Sequence, residues 1–294
     1  MLKISIASPA RLTAVLMAAC LITTAHAQTP PASHSSPAQP KAPASQTPSR
    51  STANDELLAR AAKLYDSSAK AGLNSFTCAV HPEWRTLILS ANKGAAVDEG
   101  DPRIALLKLV KIALHGQMKG SSTLDWNLPP NPAKPFDEDT ANMLEDMHSA
   151  TNQSLVGFMQ FWAPFVDGSV LPASSEGLEI TRTETGHRIH AHEGDTSLTE
   201  LLDNNLVLQH FDVVTGGMTV NFAPTYKPTS KGLLVDAFQA HIQPPGVPPE
   251  KAKEMHVEIE YQTLDGFPIP ARINMSVVNT STFNFVLDGC TVNQ

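Results

Sequence analysis

The sequence lacks the short motifs that mark common catalytic and nucleotide-binding sites. Its 294 residues contain no G-x-S-x-G elbow, no P-loop, no G-x-G-x-x-G turn and no H-E-x-x-H pair. A catalytic triad is assembled in space from residues far apart in the chain, so a hydrolase with a dispersed site stays open as a hypothesis. The missing motifs favour a non-enzymatic protein, and no cofactor is predicted.

Basic residues are also fewer than acidic ones. The chain has 21 Lys and Arg against 29 Asp and Glu, which gives a formal net charge of −8. An acidic chain without a basic cluster is a poor match for nucleic acid. After residue 27, no apolar stretch approaches the roughly 20 residues that a transmembrane helix needs. We therefore expect neither a nucleic-acid partner nor a transmembrane segment.

The N-terminus has the features of an export signal. Two basic residues accompany an apolar run over residues 12–23, and Ala25-His26-Ala27 follows it. This arrangement predicts a cleaved signal peptide over residues 1–27 and a periplasmic or secreted protein. Residues 16–20 also resemble a lipobox, so the alternative is attachment to the envelope through a lipid on Cys20.

Residues 28–53 are rich in Pro, Ser and Ala and carry no aliphatic side chain larger than alanine. Such a segment cannot bury enough apolar surface to offset its ordering entropy, which predicts a disordered linker. The remaining residues, 54–294, suit a single domain.

Cysteine is rare, and past the signal only Cys78 and Cys290 remain. An even pair in an oxidising compartment is more often a disulfide than two free thiols. A metal or redox pair would favour close C-x-x-C spacing, which is absent. We predict a Cys78–Cys290 disulfide that joins the first strand to the last.

Helical spacing is clearest in two segments. A capping box at residues 52–55 opens the first, whose apolar residues recur as far as Tyr65. The second is long and amphipathic, from about residue 137 to 166. Its apolar residues step by three or four along one face and comprise Leu144, Met147, Thr151, Leu155, Phe158, Trp162 and Phe165. Such a stripe is typical of a helix that packs on a sheet.

Alternation of apolar and polar residues dominates after Pro172 and indicates strands joined by tight turns. Residues 106–115 and 123–128 also fit strands. The later predicted strands are 178–184, 186–193, 206–213, 218–226, 233–242, 255–263, 271–277 and 282–292. Residues 267–270, with two prolines, should begin a strand from an edge or a turn. The sequence thus predicts an α+β fold, a curved, half-barrel-like antiparallel meander covered on one face by helices, including the long amphipathic one.

One local group of residues contains potential metal ligands. His190 and His192 project from the same face of a predicted strand, so two imidazoles could share an ion. Third and fourth ligands are missing, since Glu193 points to the opposite face and Asp195 follows a turn. We therefore interpret the pair as exposed histidines and predict no metal site, with His190 and His192 as the candidates if one exists.

The order of elements and the letters D-G-F-P-I-P-A-R-I at residues 265–273 resemble the periplasmic lipoprotein-carrier superfamily, the LolA/LolB/RseB half-barrels. The resemblance implies a curved sheet and helical lid around an apolar cavity for acyl chains. The carrier pattern R-P-x-x-F-R-W is absent, and no functional residue is carried over.

These observations favour an exported, non-enzymatic binding protein for an apolar ligand such as a lipid, an acyl chain or a lipidated protein. The expected lining residues are Phe158, Trp162, Phe222, Met255, Tyr261, Met275 and Phe283. The first alternative is a structural or envelope-interaction domain with a packed core, and the second is the hydrolase. Volume separates the first two, because a ligand pocket measures hundreds of Å³ and a packed core leaves few voids larger than a water molecule.

Overall fold

The protein is described here by a computed structural model, which covers residues 49–91, 98, 100–129, 136–278 and 281–294. The predicted signal peptide, Cys20 and residues 28–48 of the predicted linker lie outside these described residues. No helix within the described ranges is long and apolar enough to cross a membrane.

Four α-helices and a short 3-10 helix occur in the described residues. They are α1 (Ser49–Ala62), α2 (Trp84–Ala91), α3 (Pro102–Leu107), α4 (Glu138–Asp167) and the 3-10 helix Pro249–Lys251. The long helix α4 spans nearly the predicted residues, because Asp137 caps it and Gly168 ends it. The Asp137 carboxylate accepts a hydrogen bond from the Thr140 N–H at 2.8 Å, and Gly168 adopts a left-handed φ of 76°.

Twelve strands of the described chain form one antiparallel sheet, in the order β3-β2-β1-β12-β11-β10-β9-β8-β7-β6-β5-β4. The strands are β1 (Ser75–Pro82), β2 (Lys111–Gln117), β3 (Thr123–Asn127), β4 (Glu179–Arg182), β5 (Gly186–Glu193), β6 (Thr196–Asp203), β7 (Leu208–Thr215), β8 (Met218–Thr229), β9 (Gly232–Gln243), β10 (Lys253–Leu264), β11 (Phe267–Val277) and β12 (Ser281–Asn293). From β4 to β12 each strand pairs with the next, which confirms the predicted antiparallel meander. The sheet is not closed, since β3 and β4 form its two edges.

The first strand of the domain is joined to the last. β12 returns to pair with β1, and the two strands carry Cys78 and Cys290. These residues form a disulfide with a Cα–Cα distance of 4.1 Å, which confirms the predicted pairing. The bridge encloses 212 residues of sequence separation, so it ties together nearly the whole domain.

Alternation gives the sheet one buried face. On β10, Met255, Val257 and Ile259 are buried, whereas Glu258 and Glu260 are exposed. The helix α4 crosses the buried face, which is called the inner face below. In its N-terminal half His148 stacks on Trp126 of β3 at 5.1 Å, and near its end Phe165 contacts Tyr226 of β8 at 6.1 Å.

The proline-containing start of β11 lies where the sequence placed it. It follows the turn Asp265-Gly266, and its pairing with β12 begins only at Arg272. Pro268 and Pro270 therefore remove no ladder hydrogen bond from the β12 side. A β-bulge opposite Pro270 absorbs the irregularity on the β10 side, between Glu260 and Tyr261.

Three sequence expectations were wrong. Helix α1 begins at Ser49, so residues 49–53 of the predicted linker are helical, and the capping box at residues 52–55 does not open this helix. Residues 106–115 are not one strand, because α3 ends at Leu107 and β2 begins only at Lys111. Asp101 caps α3 by accepting a hydrogen bond from the Arg103 N–H at 2.8 Å. The strand β6 was not predicted at all. Its buried positions include the polar residues Thr196 and Glu200, which break the apolar alternation.

Candidate functional site

The C-terminal half of α4 is fixed to the sheet by a chain of hydrogen bonds. Trp162 is 0% exposed, and its indole N–H donates to the Tyr261 hydroxyl at 2.8 Å. That hydroxyl in turn donates to the Val235 carbonyl of β9 at 2.6 Å. Burial raises the pKa of the Tyr261 phenol, which therefore stays a neutral donor. Phe76 of β1 contacts the same indole edge-on at 5.9 Å.

The N-terminal half of α4 has its own anchor, at the β3 edge of the sheet. The stack of His148 on Trp126 continues to Trp84 of α2, which meets Trp126 edge-on at 5.8 Å. Helix α4 is thus held at His148 and at Trp162, and the segment between these anchors lies over the middle of the sheet.

An aromatic cluster lies beside the Trp162 anchor. Phe161 contacts Phe238 at 4.0 Å, Phe222 at 4.6 Å and Phe211 at 5.9 Å between ring centroids. Phe161 was not among the predicted lining residues, although it lies three residues after Phe158 and four before Phe165. That spacing was a signal that could have found it.

Between the two anchors, α4 and the inner face leave a small, partly open void, called the α4 crevice below. Its volume is about 20 Å³. The lining consists of Ser154, Gly157, Phe158 and Phe161 of α4 with Phe222, Phe238, Met255, Val257 and Met275 of the sheet. A void of this size admits about one water molecule.

Four of the seven residues expected to line an apolar site lie here, namely Phe158, Phe222, Met255 and Met275. Trp162 lies one turn after Phe158 on α4, and it forms the anchor with Tyr261 of β10 instead. Phe283 pairs with Met275 in the adjacent strand and is half-buried.

The α4 side of the crevice is imperfectly packed. Thr151 and Ser154 are 0% and 1% exposed, and neither hydroxyl has a hydrogen-bond partner among the described residues. A buried hydroxyl without a partner costs about 1–3 kcal/mol. Gly157 lies in the middle of the helix, and a Cβ added there would meet no atom within 4 Å. Glycine in a helix costs roughly 0.5–1 kcal/mol relative to alanine, so sterics do not require it here.

Two larger hollows open onto the surface, away from the α4 crevice. One, of about 600 Å³, lies between β1, α2 and α3 and includes His81, Glu83, Arg85 and Lys108. The other, of about 470 Å³, lies where β9 and β10 separate, and it includes Lys227, Asp236, Glu258 and Glu260. Both linings are rich in charge, unlike the apolar site that the sequence predicts.

A second polar group of residues is buried beside β6. The Tyr65 hydroxyl accepts from the Leu208 N–H at 2.7 Å, and the Tyr226 hydroxyl donates to the Leu208 carbonyl at 3.0 Å. Glu200 is buried nearby and, with burial as the larger cause, helps to raise the pKa of Tyr65. The burial of Glu200 was not predicted, since β6 itself was not predicted. Its hydrogen bonds hold the loop after α1 against β7 and β8.

The histidine pair lies on the outer face of the sheet. Its neighbours Ile189 and Ala191 are buried, and the His190 Nδ1 lies 3.0 Å from the Thr199 hydroxyl of β6. His192 is exposed. Within the described ranges, no three His, Cys, Asp or Glu side chains are grouped closely enough to hold a metal ion.

Comparison with known proteins does not assign this site. No protein-family model matches the chain, and a search of curated proteins found no match.

Proposed function

We propose that the domain is an exported, non-enzymatic binding protein whose ligand is an apolar chain, such as a lipid or the acyl group of a lipidated protein. The ligand would lie between α4 and the inner face of the sheet, in a half-barrel arrangement. The N-terminal signal, the Pro-rich linker and the resemblance to periplasmic lipoprotein carriers support this proposal from the sequence.

The observation that carries the proposal is a cluster of packing defects on α4, of which Ser154 and Gly157 line the α4 crevice and Thr151 lies one turn before it. Thr151, Ser154 and Gly157 occupy successive turns of one helix. Each lowers the stability of the fold, and no contact among the described residues offsets that loss. One turn further on, Phe161 contacts three rings of the sheet, so close packing is achieved nearby. Buried unsatisfied groups call for an explanation, and a ligand that enters here would supply one.

The size of the crevice sets a condition on this function. A void of about 20 Å³ cannot hold an acyl chain, since ligand pockets measure roughly 300–1,000 Å³. The ligand must therefore displace side chains. Met255 and Met275 are suited to this, because methionine is unbranched and adapts to differently shaped neighbours. Phe158 is the third residue that would move, since it covers the same void from the helix.

Titration with the neutral fluorescent probe N-phenyl-1-naphthylamine tests the proposal, beside urea unfolding of each variant. We expect the wild type to bind the probe, and we expect Phe158→Trp and Met255→Trp to weaken binding at least about tenfold, a loss of about 1.4 kcal/mol. Leu109→Trp is the matched control, because it adds the same ring at a position that is 59% exposed. It should bind as the wild type does.

The second candidate is a structural or envelope-interaction domain with a fully packed core. The small volume of the crevice favours it, because a close-packed interior leaves few voids larger than a water molecule. In that case the wild type would not bind the probe. Phe158→Trp and Met255→Trp would then overpack the core and cost about 1–3 kcal/mol. Lipids identified by mass spectrometry in protein purified from its native envelope would argue against this candidate.

A further inference from the structure

We infer that the apolar ligand carries an uncharged hydrogen-bonding group, such as a hydroxyl or an ester or amide carbonyl, and that Ser154 binds this group. The inference rests on the proposed function and adds the chemical class of the ligand to it. Two independent features of the α4 crevice lead to it: the hydrogen-bonding capacity left unused on α4, and the absence of charge in the lining.

The unused hydrogen-bonding capacity is that of the Ser154 hydroxyl. Its side chain lines the crevice, it is 1% exposed, and its hydroxyl has no partner among the described residues. A serine hydroxyl donates one hydrogen bond and accepts up to two. Thr151 lies one turn earlier and carries a second buried hydroxyl in the same condition. A purely hydrocarbon ligand would leave both hydroxyls unsatisfied, whereas a hydroxyl or carbonyl on the ligand would satisfy at least the one on Ser154.

The lining excludes a charged group at this depth. The nine described residues that line the crevice are Ser, Gly, Val, Phe and Met, without a charged side chain among them. An ionised carboxylate moved from water into such surroundings loses its hydration and gains no countercharge, which is strongly unfavourable. A neutral ester or alcohol loses much less, and Ser154 compensates part of that loss.

A competing arrangement would place a carboxylate at the edge of the crevice. Lys253 precedes Met255 by two residues on β10, so it lies on the same face of the sheet, and it is partly exposed. A fatty acid held by Lys253 would extend only its tail towards Ser154. The experiment must therefore separate binding through Ser154 from binding through Lys253.

Competition against bound N-phenyl-1-naphthylamine separates the two, with dodecanol, methyl dodecanoate, dodecanoate and dodecane at neutral pH. We expect the alcohol and the ester to displace the probe at concentrations at least about tenfold lower than either dodecanoate or dodecane. Ser154→Ala should remove most of the advantage over dodecane. Ser149→Ala is the matched control, because Ser149 is an exposed serine of the same helix, and it should change nothing.

The outcomes distinguish this inference from the proposed function. If the wild type binds no probe, both are overturned. If the probe binds but dodecanoate competes as well as the ester, and Lys253→Met weakens only dodecanoate, the inference is wrong and the proposed function stands. The same holds if Ser154→Ala leaves the difference between ester and alkane unchanged. Urea unfolding of Ser154→Ala checks that the variant is folded.

Discussion

Replacement of Tyr261 by phenylalanine tests whether the anchor of α4 is as important as its geometry indicates. The change removes one oxygen atom that accepts from the Trp162 indole and donates to the Val235 carbonyl, at 2.8 and 2.6 Å. The ring remains in place, so the lost contribution is that of the two hydrogen bonds.

The expected cost follows from what the two partners can do afterwards. The Trp162 indole has a single N–H and is 0% exposed, so water cannot replace the lost acceptor without opening the core. The Val235 carbonyl has a second lone pair and loses less. A buried group left without its partner costs about 1–3 kcal/mol, so we expect Tyr261→Phe to lower the free energy of unfolding by about 2–3 kcal/mol.

The loss should not depend on pH over the range in which the protein is ordinarily handled. Burial raises the pKa of Tyr261 in the folded state, so its contribution is complete below the ordinary tyrosine pKa of about 10. It would decline only as the pH rises further, towards the raised pKa. Equal losses in mildly acidic and mildly alkaline buffer are therefore part of the prediction.

Urea unfolding followed by circular dichroism measures this difference. Lys227→Met is the control, because it removes the ammonium that lies 4.4 Å from the Tyr261 ring centroid and leaves the hydroxyl untouched. We expect this control to cost about 0.5–1 kcal/mol. A loss below about 1 kcal/mol in Tyr261→Phe, or one no larger than in the control, would refute the reasoning, since the hydrogen bonds would then be dispensable.

Three further substitutions have expected outcomes in the same unfolding assay. Gly157→Ala should raise the free energy of unfolding by about 0.5–1 kcal/mol, because the added Cβ meets no atom; a decrease would show that the space is needed for packing. Gly232→Ala should lower it by about 1–3 kcal/mol, because φ is +134° and the Cβ would lie 2.7 Å from the Leu64 carbonyl oxygen; an unchanged midpoint would contradict this. Replacing Cys78 and Cys290 together by serine should cost up to about 5 kcal/mol, matched by the effect of reductant on the wild type, and an insensitive wild type would speak against it.

The fold could be predicted wherever the local pattern and the tertiary environment agree. The meander from β7 to β12 and the helix α4 have strict periodicity and clear ends, so their existence and approximate bounds followed from the sequence. The strand β6 did not, because its buried positions Thr196 and Glu200 are polar and break the apolar alternation. The helix α3 was missed for a different reason: Asp101-Pro102 is a helix start signal, and an apolar run that also fits a strand concealed it.

The candidate site was predictable in its residue types but not in its volume. Phe158 and Met255 could be placed opposite each other because the helix stripe and the strand alternation each define a face. Whether these faces interlock or leave a space depends on rotamers and on the height of the helix above the sheet. The anchors set that height, and the pairing of Trp162 with Tyr261 joins residues 99 positions apart in the sequence. No local sequence pattern predicts the pairing of Trp162 with Tyr261.

The position of the crevice follows from the two anchors. His148 and Trp162 fix α4 at points fourteen residues apart, which is about 21 Å along a helix at 1.5 Å per residue. Between them the helix crosses several strands at a height that the large rings at the two anchors determine. The small side chains Thr151, Ser154 and Gly157 cannot fill the space left at that height, and on the sheet side the flexible chains of Met255 and Met275 close it to about 20 Å³. The part of the interface that needs the least free energy to open is therefore the part that lies farthest from both anchors. A ligand that separates α4 from the sheet there need break neither the His148 stack nor the Trp162 hydrogen bond.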